Sequence, residues 1–541
     1  MKEKTVLSVL FSLVIFTLSA QKTYYVNINS GNDSNTGLKW SSAFQNLQKA
    51  IDAAEEGDII NVAAGKYLPT RKITETYGGT LPETPTGDRH KTFLFNKDVK
   101  VFGGYPANAT DLTTSSDRNW TDNETILSGD FNNDDGADFT NREENALHII
   151  VMKDVTRQMI LDGFTVTNGG STDSATVYYE NAPILHSCGG GIHAISNTES
   201  SPSLFNLIVK NNKVSLDGAA FYSYSNDKTG PILFNVQMLN NVSGEYGGAI
   251  YIRGNSPEPH ITNSIFAGNS ALVQGGAILC VGNNNAYAWL YGVLLSGNQA
   301  ENGAGAYFIA LEGNTRPFLF NTTISGNKAE KGGGIVVNSS VGEANLVLTN
   351  TVIWGNDAGQ YPNIYVNGLK GSNPVYTSYD NSLIEEEELG GSNLSGITKP
   401  LFINPVEAQA APTIAGDYQL QENSPLIDME TIISDATDND LTVDLAGNPR
   451  VFGSTTDIGA YEYQGTTGNE VINSGQSVWS SGETLFVSVK SDNSTLKVHS
   501  MNGQLVQQSN NLTVGTHEFV LPNGLYIVTL NEKEHYKILI K

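Results

Sequence analysis

Short apolar runs alternate with Gly- and Asn-rich turns along most of the chain. A run such as Ile250–Ile252 is only a few residues long and is bounded by glycine and asparagine. The apolar residues do not recur at the spacing of an amphipathic helix, and the runs are too short to form a stable isolated hairpin sheet. The pattern therefore predicts many short β-strands joined by tight turns.

The turns themselves repeat with a fixed period of about 28.6 residues, which marks an internal repeat architecture. A tetrad of small residues followed by a bulky one, as in Gly247-Gly-Ala-Ile250, recurs six times at intervals of 28 or 29 residues. Two polar series keep the same period. The first is Asn212, Asn241, Asn269, Asn298, Asn327 and Asn356, and the second, six residues earlier, is Asn206, Asn235, Asn263, Gly292, Asn321 and Asn350.

A chain that turns through about three short strands per repeat can stack each strand on its counterpart in the next coil, ~4.8 Å away. An Asn at a fixed turn can then hydrogen-bond to its equivalent in the neighbouring coil and satisfy buried turn amides. The sequence therefore predicts an all-β fold built on a parallel β-helix. The regular coils span 184–370.

Less regular coils are expected before this region, over 21–183, with long insertions between them. Asp58–Ala63 is a good first strand, and an amphipathic helix is predicted just before it, ending at Gly57. Ser42 and Gln45 are placed to form a capping box for that helix. This helix would cover the exposed end of the solenoid.

Residues 1–20 have the pattern of a secretory signal peptide, with Lys2 and Lys4 before an apolar run and a small-residue cleavage site. The alternative is a membrane anchor, but the apolar run is short for a bilayer span. No other stretch of the sequence is predicted to cross a membrane. The mature protein is expected to be exported.

Charge and cysteine content exclude some classes of protein. The formal net charge is −25, which argues against nucleic-acid binding because that requires clustered Lys and Arg. More than half of this charge, −14, lies in residues 371–465, an acidic C-terminal cap. The two cysteines, Cys188 and Cys280, lie three coils apart, so no disulfide is expected.

Several motifs resemble known families. The tetrads with a preceding apolar-x-x-Asn, most fully Phe266-Ala-Gly-Asn269, resemble the repeat of polymorphic outer-membrane proteins. The segments Tyr24–Asn27, Ala63–Tyr67 and Val101–Tyr105 resemble secreted right-handed parallel β-helix proteins of the pectin-lyase-like superfamily. This resemblance implies a right-handed solenoid. The superfamily contains lyases, hydrolases and non-catalytic adhesins, so it does not imply a reaction.

Two resemblances concern the C-terminal part. Ser424–Asp428, Gly447–Arg450 and Asp457–Glu462 resemble the choice-of-anchor module that closes such helices. Leu496–Leu505 and Leu521–Tyr526 resemble a type IX secretion C-terminal sorting domain, here spanning 466–541, although its usual Pro-Asn-Pro opening is replaced by Ser480–Glu483. They imply a small C-terminal β-sandwich, contact with the type IX secretion machinery, and a mature protein that is surface-anchored or released.

An acidic stretch in an early insertion is a candidate calcium site. Asp130, Asn132, Asp134 and Asp138 place side-chain oxygens at alternate positions around a glycine, as in loops that wrap Ca²⁺. The stretch departs from the EF-hand pattern, because the glycine comes one place late and no bidentate Glu follows. The alternative is a solvated acidic turn.

A basic segment in another insertion is a candidate binding site for an acidic sugar. Arg89, His90 and Lys91, with Arg71 and Lys72, form the densest basic patch in an acidic chain. A solvated loop is the competing interpretation. No catalytic residue is assigned. Glu301 and Glu330 share a position in the repeat, but both are interpreted as solvated residues of Gly-rich turns, and the regular coils contain no Asp-Asp pair.

The sequence therefore predicts a secreted or cell-surface β-helix that acts as a non-catalytic platform for binding or adhesion, with a polysaccharide or cell-surface glycan as partner. One alternative is a calcium-assisted polysaccharide lyase or glycoside hydrolase with its site in the N-terminal insertions. Another is a structural surface component without a specific ligand.

Overall fold

A computed structural model shows two compact units, one ending at Tyr463 and one beginning at Gln464. The description that follows covers residues 20–73, 87–171, 175–368, 377–385, 393–394, 397, 399–429, 442–465, 477–481, 484–489, 492–500, 504–522, 524–531 and 534–540. The expected signal peptide lies outside the described residues, apart from its last residue.

The first unit is a parallel β-helix, in which three long sheets run along the solenoid in the described part of the chain. The first sheet contains strands Thr23–Val26, Ile59–Ala63, Lys100–Tyr105, Ile160–Asp162, Ser203–Phe205, Ile232–Phe234, His260–Thr262, Ala286–Tyr291, Thr315–Phe320, Leu346–Thr349 and Thr377–Asp380. The second contains Gly65–Tyr67, Thr125–Ser128, Thr165–Thr167, Ile208–Lys210, Gln237–Leu239, Ile265–Ala267, Leu294–Ser296, Thr323–Ser325, Val352–Trp354 and Leu383–Ile384. The third contains Arg71–Lys72, Lys91–Phe95, Ile150–Lys153, Ile192–Ser196, Phe221–Ser225, Ile250–Gly254, Ile278–Gly282, Ala306–Ala310, Ile335–Ser339 and Ile364–Gly368. The all-β parallel β-helix prediction is confirmed.

Shorter elements complete this unit. A hairpin of Thr176–Tyr179 and Ala182–Leu185 projects from the third sheet. The remaining short strands are Glu199–Ser200, Lys213–Val214, Lys228–Thr229, Val242–Ser243, Ser270–Ala271, Lys328–Lys331, Asp357–Gln360, Phe402–Asn404 and Asp417–Leu420. The 3₁₀ turns are Trp40–Ser42, Asp88–His90, Ser115–Asp117, Ala137–Phe139 and Ala408–Ala410.

The cap helix is shorter than predicted. It spans Leu47–Ala53 and buries its apolar side against the first coils. The capping box of Ser42 and Gln45 is wrong, because Phe44 is still extended and bridges to the first strand. The Asp33 carboxylate, from another loop, accepts the Gln45 amide at 3.0 Å.

The core is a column of aliphatic side chains inside the solenoid. In the first sheet one residue in the same register of successive strands points inward and is fully buried, as in Leu204, Leu233, Ile261, Leu290 and Leu319. Its two neighbours point outward, because successive side chains of a strand alternate between faces. In-register parallel pairing then places equivalent outward positions of successive coils in rows.

The two Asn series have different roles. The first forms a buried ladder, in which each Nδ2 donates to the Oδ1 of the next Asn along the chain at 2.9–3.0 Å, from Asn212 to Asn356. Members of the second series occupy the left-handed backbone region, with φ of 51° at Asn206, 55° at Asn235 and 62° at Gly292. Asn and Gly tolerate this region best, which explains why the two residue types alternate there.

The second unit consists of two antiparallel sheets that share an apolar core containing Leu485, Val487, Leu496 and Val528. One sheet contains Ser477–Ser481, Thr484–Val489 and Gly515–Val520. The other contains Leu505–Leu512, Ser494–Ser500, Gly524–Leu530 and Glu534–Ile540. Across both units, no helix among the described residues is long and apolar enough to span a membrane.

Candidate functional site

The acidic insertion after strand Thr125–Ser128 folds into a compact carboxylate cluster. Asp130, Asp134, Asp135 and Glu144 each offer an oxygen, and these four oxygens all lie within 4.8 Å of one another. Asp130 fixes the loop, because its Oδ1 accepts the Asn133 amide at 2.6 Å. Hard oxygen donors gathered in this way are the ligand type that Ca²⁺ prefers.

Two oxygens of this cluster lack a hydrogen-bond partner among the described residues. They are Asp135 Oδ1 and Glu144 Oε1, both shielded from solvent. The Asp135 side chain is 7% exposed, and its Oδ2 faces the Arg142 guanidinium at 3.2 Å. Burial raises the pKa of both Asp135 and Glu144. Lys66 lies 3.9 Å from Asp130 as a second cation. Two cations for four carboxyl groups leave part of the cluster's negative charge and acceptor capacity unmatched.

The structure brings together only some of the residues that the sequence predicts for this site. Asp130 and Asp134 belong to the cluster of acids, whereas Asp138 does not. Asp138 has a positive φ of 56° and is exposed. Sequence reasoning missed Asp135, which is adjacent to a predicted ligand, and Glu144, because a later turn of the insertion returns to the loop.

The basic segment is largely engaged with the protein itself. Arg89 donates from Nε to the Asn145 carbonyl at 3.0 Å and from Nη2 to the Gly170 carbonyl at 3.1 Å. Lys91 lies 2.9 Å from Asp88. Arg89, His90 and Lys91 also line a small cavity together with His148 and His186. Binding of an acidic sugar by the three residues stays a prediction.

The outer side of the first sheet carries an aromatic array that the sequence analysis did not assemble. We call it the aromatic face; it comprises Phe205, Phe234, His260, Trp289, Tyr291, Phe318 and Phe320. Six of these side chains are half-buried, and Phe234 is 42% exposed. An apolar patch of this kind on a rigid sheet is a candidate interaction surface.

Stacking between coils orders the aromatic face. The Trp289 and Phe318 rings are 4.0 Å apart and inclined by 4°, and Tyr291 and Phe320 are 4.9 Å apart at 7°. His260 stacks on the other side of Trp289 at 6.1 Å. The signal in the sequence was aromatic recurrence at the repeat period, 29 residues from Trp289 to Phe318 and from Tyr291 to Phe320.

Polar groups border the aromatic face. The Trp289 indole donates to Glu258 Oε1 at 3.0 Å, which fixes the ring. The Arg316 guanidinium lies 4.9 Å from the centre of the Phe318 ring. The surface can therefore offer apolar contact with hydrogen-bonding groups at its edge. By contrast, the Tyr105, Tyr251 and Tyr307 side chains are at most 7% exposed and cannot stack on a sugar ring.

Charged side chains of the acidic cap form hydrogen bonds with the backbone of the cap. Glu462 accepts the amides of Phe452 and Asp457 at 2.9 and 3.0 Å, and Arg450 donates to the Asp457 and Gly459 carbonyls. Burial raises the pKa of Glu462 to about 7. These contacts hold the backbone of this segment in place.

Comparisons with known proteins match one short family repeat and several solved structures. Residues 263–281 match the Chlamydia polymorphic membrane protein repeat, which includes the Phe266–Asn269 motif. No curated protein sequence matches the chain significantly.

Three of the similar solved structures are enzymes with low sequence identity. Pectate lyase Pel9A is 14% identical, with 82% of this chain and 97% of that chain covered and a TM-score of 0.36. A GH136 lacto-N-biosidase from Eubacterium ramulus is 10% identical, covering 67% of each chain, with a TM-score of 0.29. A rhamnogalacturonan lyase is 10% identical, covering 74% and 96%, with a TM-score of 0.23.

Proposed function

We propose that this protein is a cell-surface β-helix that binds carbohydrate through its aromatic face without transforming it. The observation that carries the proposal is the half-exposed stack of Trp289 on Phe318, beside Tyr291 on Phe320. A sugar ring has an apolar C–H surface and a rim of hydroxyls. The stacked rings can contact the apolar surface of the sugar, and Glu258 and Arg316 at their edge can hydrogen-bond to its hydroxyls.

The rigidity of the platform favours this role. The aromatic side chains project from strands whose central residues are locked in the core, so little conformational entropy is lost when a ligand binds. Equivalent positions recur at each coil, which suits a polymer with a repeating unit. A polysaccharide or cell-surface glycan is therefore the proposed partner.

We also propose the route by which the protein reaches the surface. The N-terminal signal would direct export, and the C-terminal unit would be read by the type IX secretion machinery before anchoring or release. The match to a repeat of polymorphic membrane proteins supports a surface location. Secretion of a C-terminally truncated chain should fail if this route is correct.

Calcium is proposed as a structural ion of the acidic insertion. The supporting observation is the set of four carboxylates within 4.8 Å, with Asp135 Oδ1 and Glu144 Oε1 shielded and unpartnered among the described residues. A bound Ca²⁺ would satisfy both oxygens and offset the mutual repulsion of the acids. It would stiffen the insertion without taking part in a reaction.

A glycan array probed with the purified mature protein tests the carbohydrate proposal. The wild type should bind a subset of polysaccharides, and the double variant Trp289→Ala with Phe318→Ala should lose that binding. The matched control is Tyr361→Ala, which removes an aromatic side chain 51% exposed on a different part of the solenoid. Unchanged binding by the double variant, or a wild type that binds no glycan, would refute the proposal.

A polysaccharide lyase is the second candidate function, because the acidic cluster lies beside a basic group. Burial lowers the pKa of Arg142, which lies 3.2 Å from Asp135. A lyase requires a metal-binding acid cluster and a base of lowered pKa. The Arg142 side chain is only 12% exposed, which limits its access to a substrate. Unsaturated products or new reducing ends from the same glycans would favour this candidate.

A further inference from the structure

Half of the eight histidines of this chain converge at one place on the third sheet. The rings of His148 and His193 are 4.8 Å apart, those of His148 and His186 are 6.2 Å apart, and those of His90 and His186 are 5.1 Å apart. They come from four separate segments, including strand Ile192–Ser196 and the 3₁₀ turn Asp88–His90. His148 lies at the centre of the group, which we call the histidine cluster.

Hydrogen bonds fix the tautomers of the two innermost rings. The Nδ1 of His148 lies 3.1 Å from the Gly189 carbonyl, and the Nδ1 of His193 lies 3.2 Å from the Cys188 carbonyl. A carbonyl oxygen only accepts hydrogen bonds, so in both rings the proton is on Nδ1. Each Nε2 therefore carries a lone pair.

These two lone pairs are buried and unmatched. His148 is 5% exposed and His193 is fully buried, and neither Nε2 has a hydrogen-bond partner among the described residues. An unpaired acceptor in the interior costs free energy. A backbone carbonyl on one ring nitrogen with a free lone pair on the other is also how metal-binding histidines are oriented.

The surroundings keep the imidazoles neutral. Burial lowers the pKa of His193 to about 4 and that of His148 well below its usual value, so at neutral pH protons do not compete for the lone pairs. The small cavity lined by His90, His148 and His186 is also lined by Arg89 and Lys91. Both cationic side chains are engaged by the protein itself, Arg89 by two backbone carbonyls and Lys91 by Asp88.

We propose that the histidine cluster binds one divalent transition-metal ion of the zinc class, with Nε2 of His148 and His193 as ligands and His186 as the third imidazole. Imidazoles bound tetrahedrally to Zn²⁺ at about 2.0–2.1 Å have ring centres about 5 Å apart. The His148–His193 pair already has this spacing. The His186 ring is 6.2 Å from that of His148, and no three histidine nitrogens among the described residues lie within 4.8 Å of one another, so His186 must move closer when the ion binds. Imidazole donors favour this class of ion over Ca²⁺, which prefers oxygen.

This site is independent of the proposed carbohydrate function, since the aromatic face lies on the first sheet and the histidine cluster on the third. It also differs from the acidic cluster in its ligand chemistry. A bound ion would tie the hairpin that precedes His186 to the third sheet. Its effect is therefore expected on stability and not on glycan binding.

Titration of the chelator-treated mature protein with ZnCl₂, followed by calorimetry and elemental analysis, tests the proposal. The wild type should bind one equivalent that survives desalting, and Co²⁺ in its place should give the visible absorption of a tetrahedral site. His193→Gln should weaken Zn²⁺ binding by at least about tenfold. His517→Gln, which alters an exposed histidine of the second unit, and Asp135→Asn should leave the affinity unchanged.

X-ray absorption of the zinc-loaded wild type provides a readout that does not depend on a variant folding. Imidazole nitrogens at about 2.0–2.1 Å support the proposal. Oxygen-only coordination overturns it, as does a loss of Zn²⁺ binding in Asp135→Asn, because either result places the ion in the acidic cluster. Failure of the wild type to retain any zinc overturns it as well.

Discussion

Nδ2 of Asn269 donates to Oδ1 of Asn298 at 3.0 Å across the boundary between two coils. Asn298 repeats the contact with Asn327 at 2.9 Å, and its Nδ2 also donates to the Phe266 carbonyl at 2.9 Å. All three asparagines are fully buried. The ladder thus links successive coils through side chains as well as through the sheets.

Removing one step of this ladder should destabilise the solenoid strongly. Asn298→Ala leaves the amide of Asn269 and the Phe266 carbonyl without their partners, and each buried unsatisfied group costs about 1–3 kcal/mol. We expect a loss of about 3 kcal/mol or more in the free energy of unfolding, measured by urea denaturation. Asn226→Ala is the control, since it removes an exposed inter-coil contact to Asn197. Equal effects from the two variants would contradict a structural role for the buried ladder.

The left-handed backbone conformation at Gly292 predicts that substitution by Asn and by Val will have different effects on stability. Gly292 has a φ of 62° where other coils have Asn. Gly292→Asn should therefore leave the melting temperature nearly unchanged, whereas Gly292→Val should cost about 1–2 kcal/mol because a β-branched side chain is strained there. Thermal denaturation monitored by circular dichroism measures both. Similar losses for Asn and Val would show that space, not backbone conformation, selects glycine.

Acid should destabilise the protein through its buried histidines. The pKa of His193 is about 4 in the fold against about 6.5 when unfolded, so the unfolded chain binds more protons between these pH values. Stability then falls as the pH drops from about 6.5 to 4, by about 3 kcal/mol for this residue. His193→Leu should show a smaller fall, measured by urea midpoints at pH 7 and 4.5 with chelator present.

The variant comparison is needed because other groups act in the opposite direction. Burial raises the pKa of Asp217 and of Glu462 to about 7, so the stability that they favour is present at low pH and is lost as the pH rises toward 7. These contributions are common to wild type and His193→Leu. An identical pH dependence for the two proteins would argue against a neutral His193 in the fold.

Calcium should raise the melting temperature through the acidic cluster. Ca²⁺ at 100 times its dissociation constant stabilises the folded state by about 2.7 kcal/mol. Asp135→Asn should abolish the shift, because it removes charge from a side chain that is 7% exposed and lies within the cluster. Asp138→Asn, in the same loop but outside the cluster, is the control. A shift that disappears in Asp138→Asn and persists in Asp135→Asn would favour the ligand set expected from the sequence.

The repeat made much of the fold predictable. Equivalent positions in successive coils have the same environment, so they carry similar residues. Periodic residues such as Asn241, Asn269 and Ile250 therefore mark the corners and strands of each coil. The cap helix was predicted less well. Its start depends on Asp33, a partner supplied by a different loop.

The sequence by itself therefore determined the solenoid, its period and its Asn ladder, since these depend on contacts between equivalent positions. Only the tertiary structure decided which functional side chains meet. Glu144 joins Asp130, and His148 joins His193, from segments that are distant in the sequence. Such contacts depend on the paths of the insertions and of the irregular coils, which no local pattern of residues encodes.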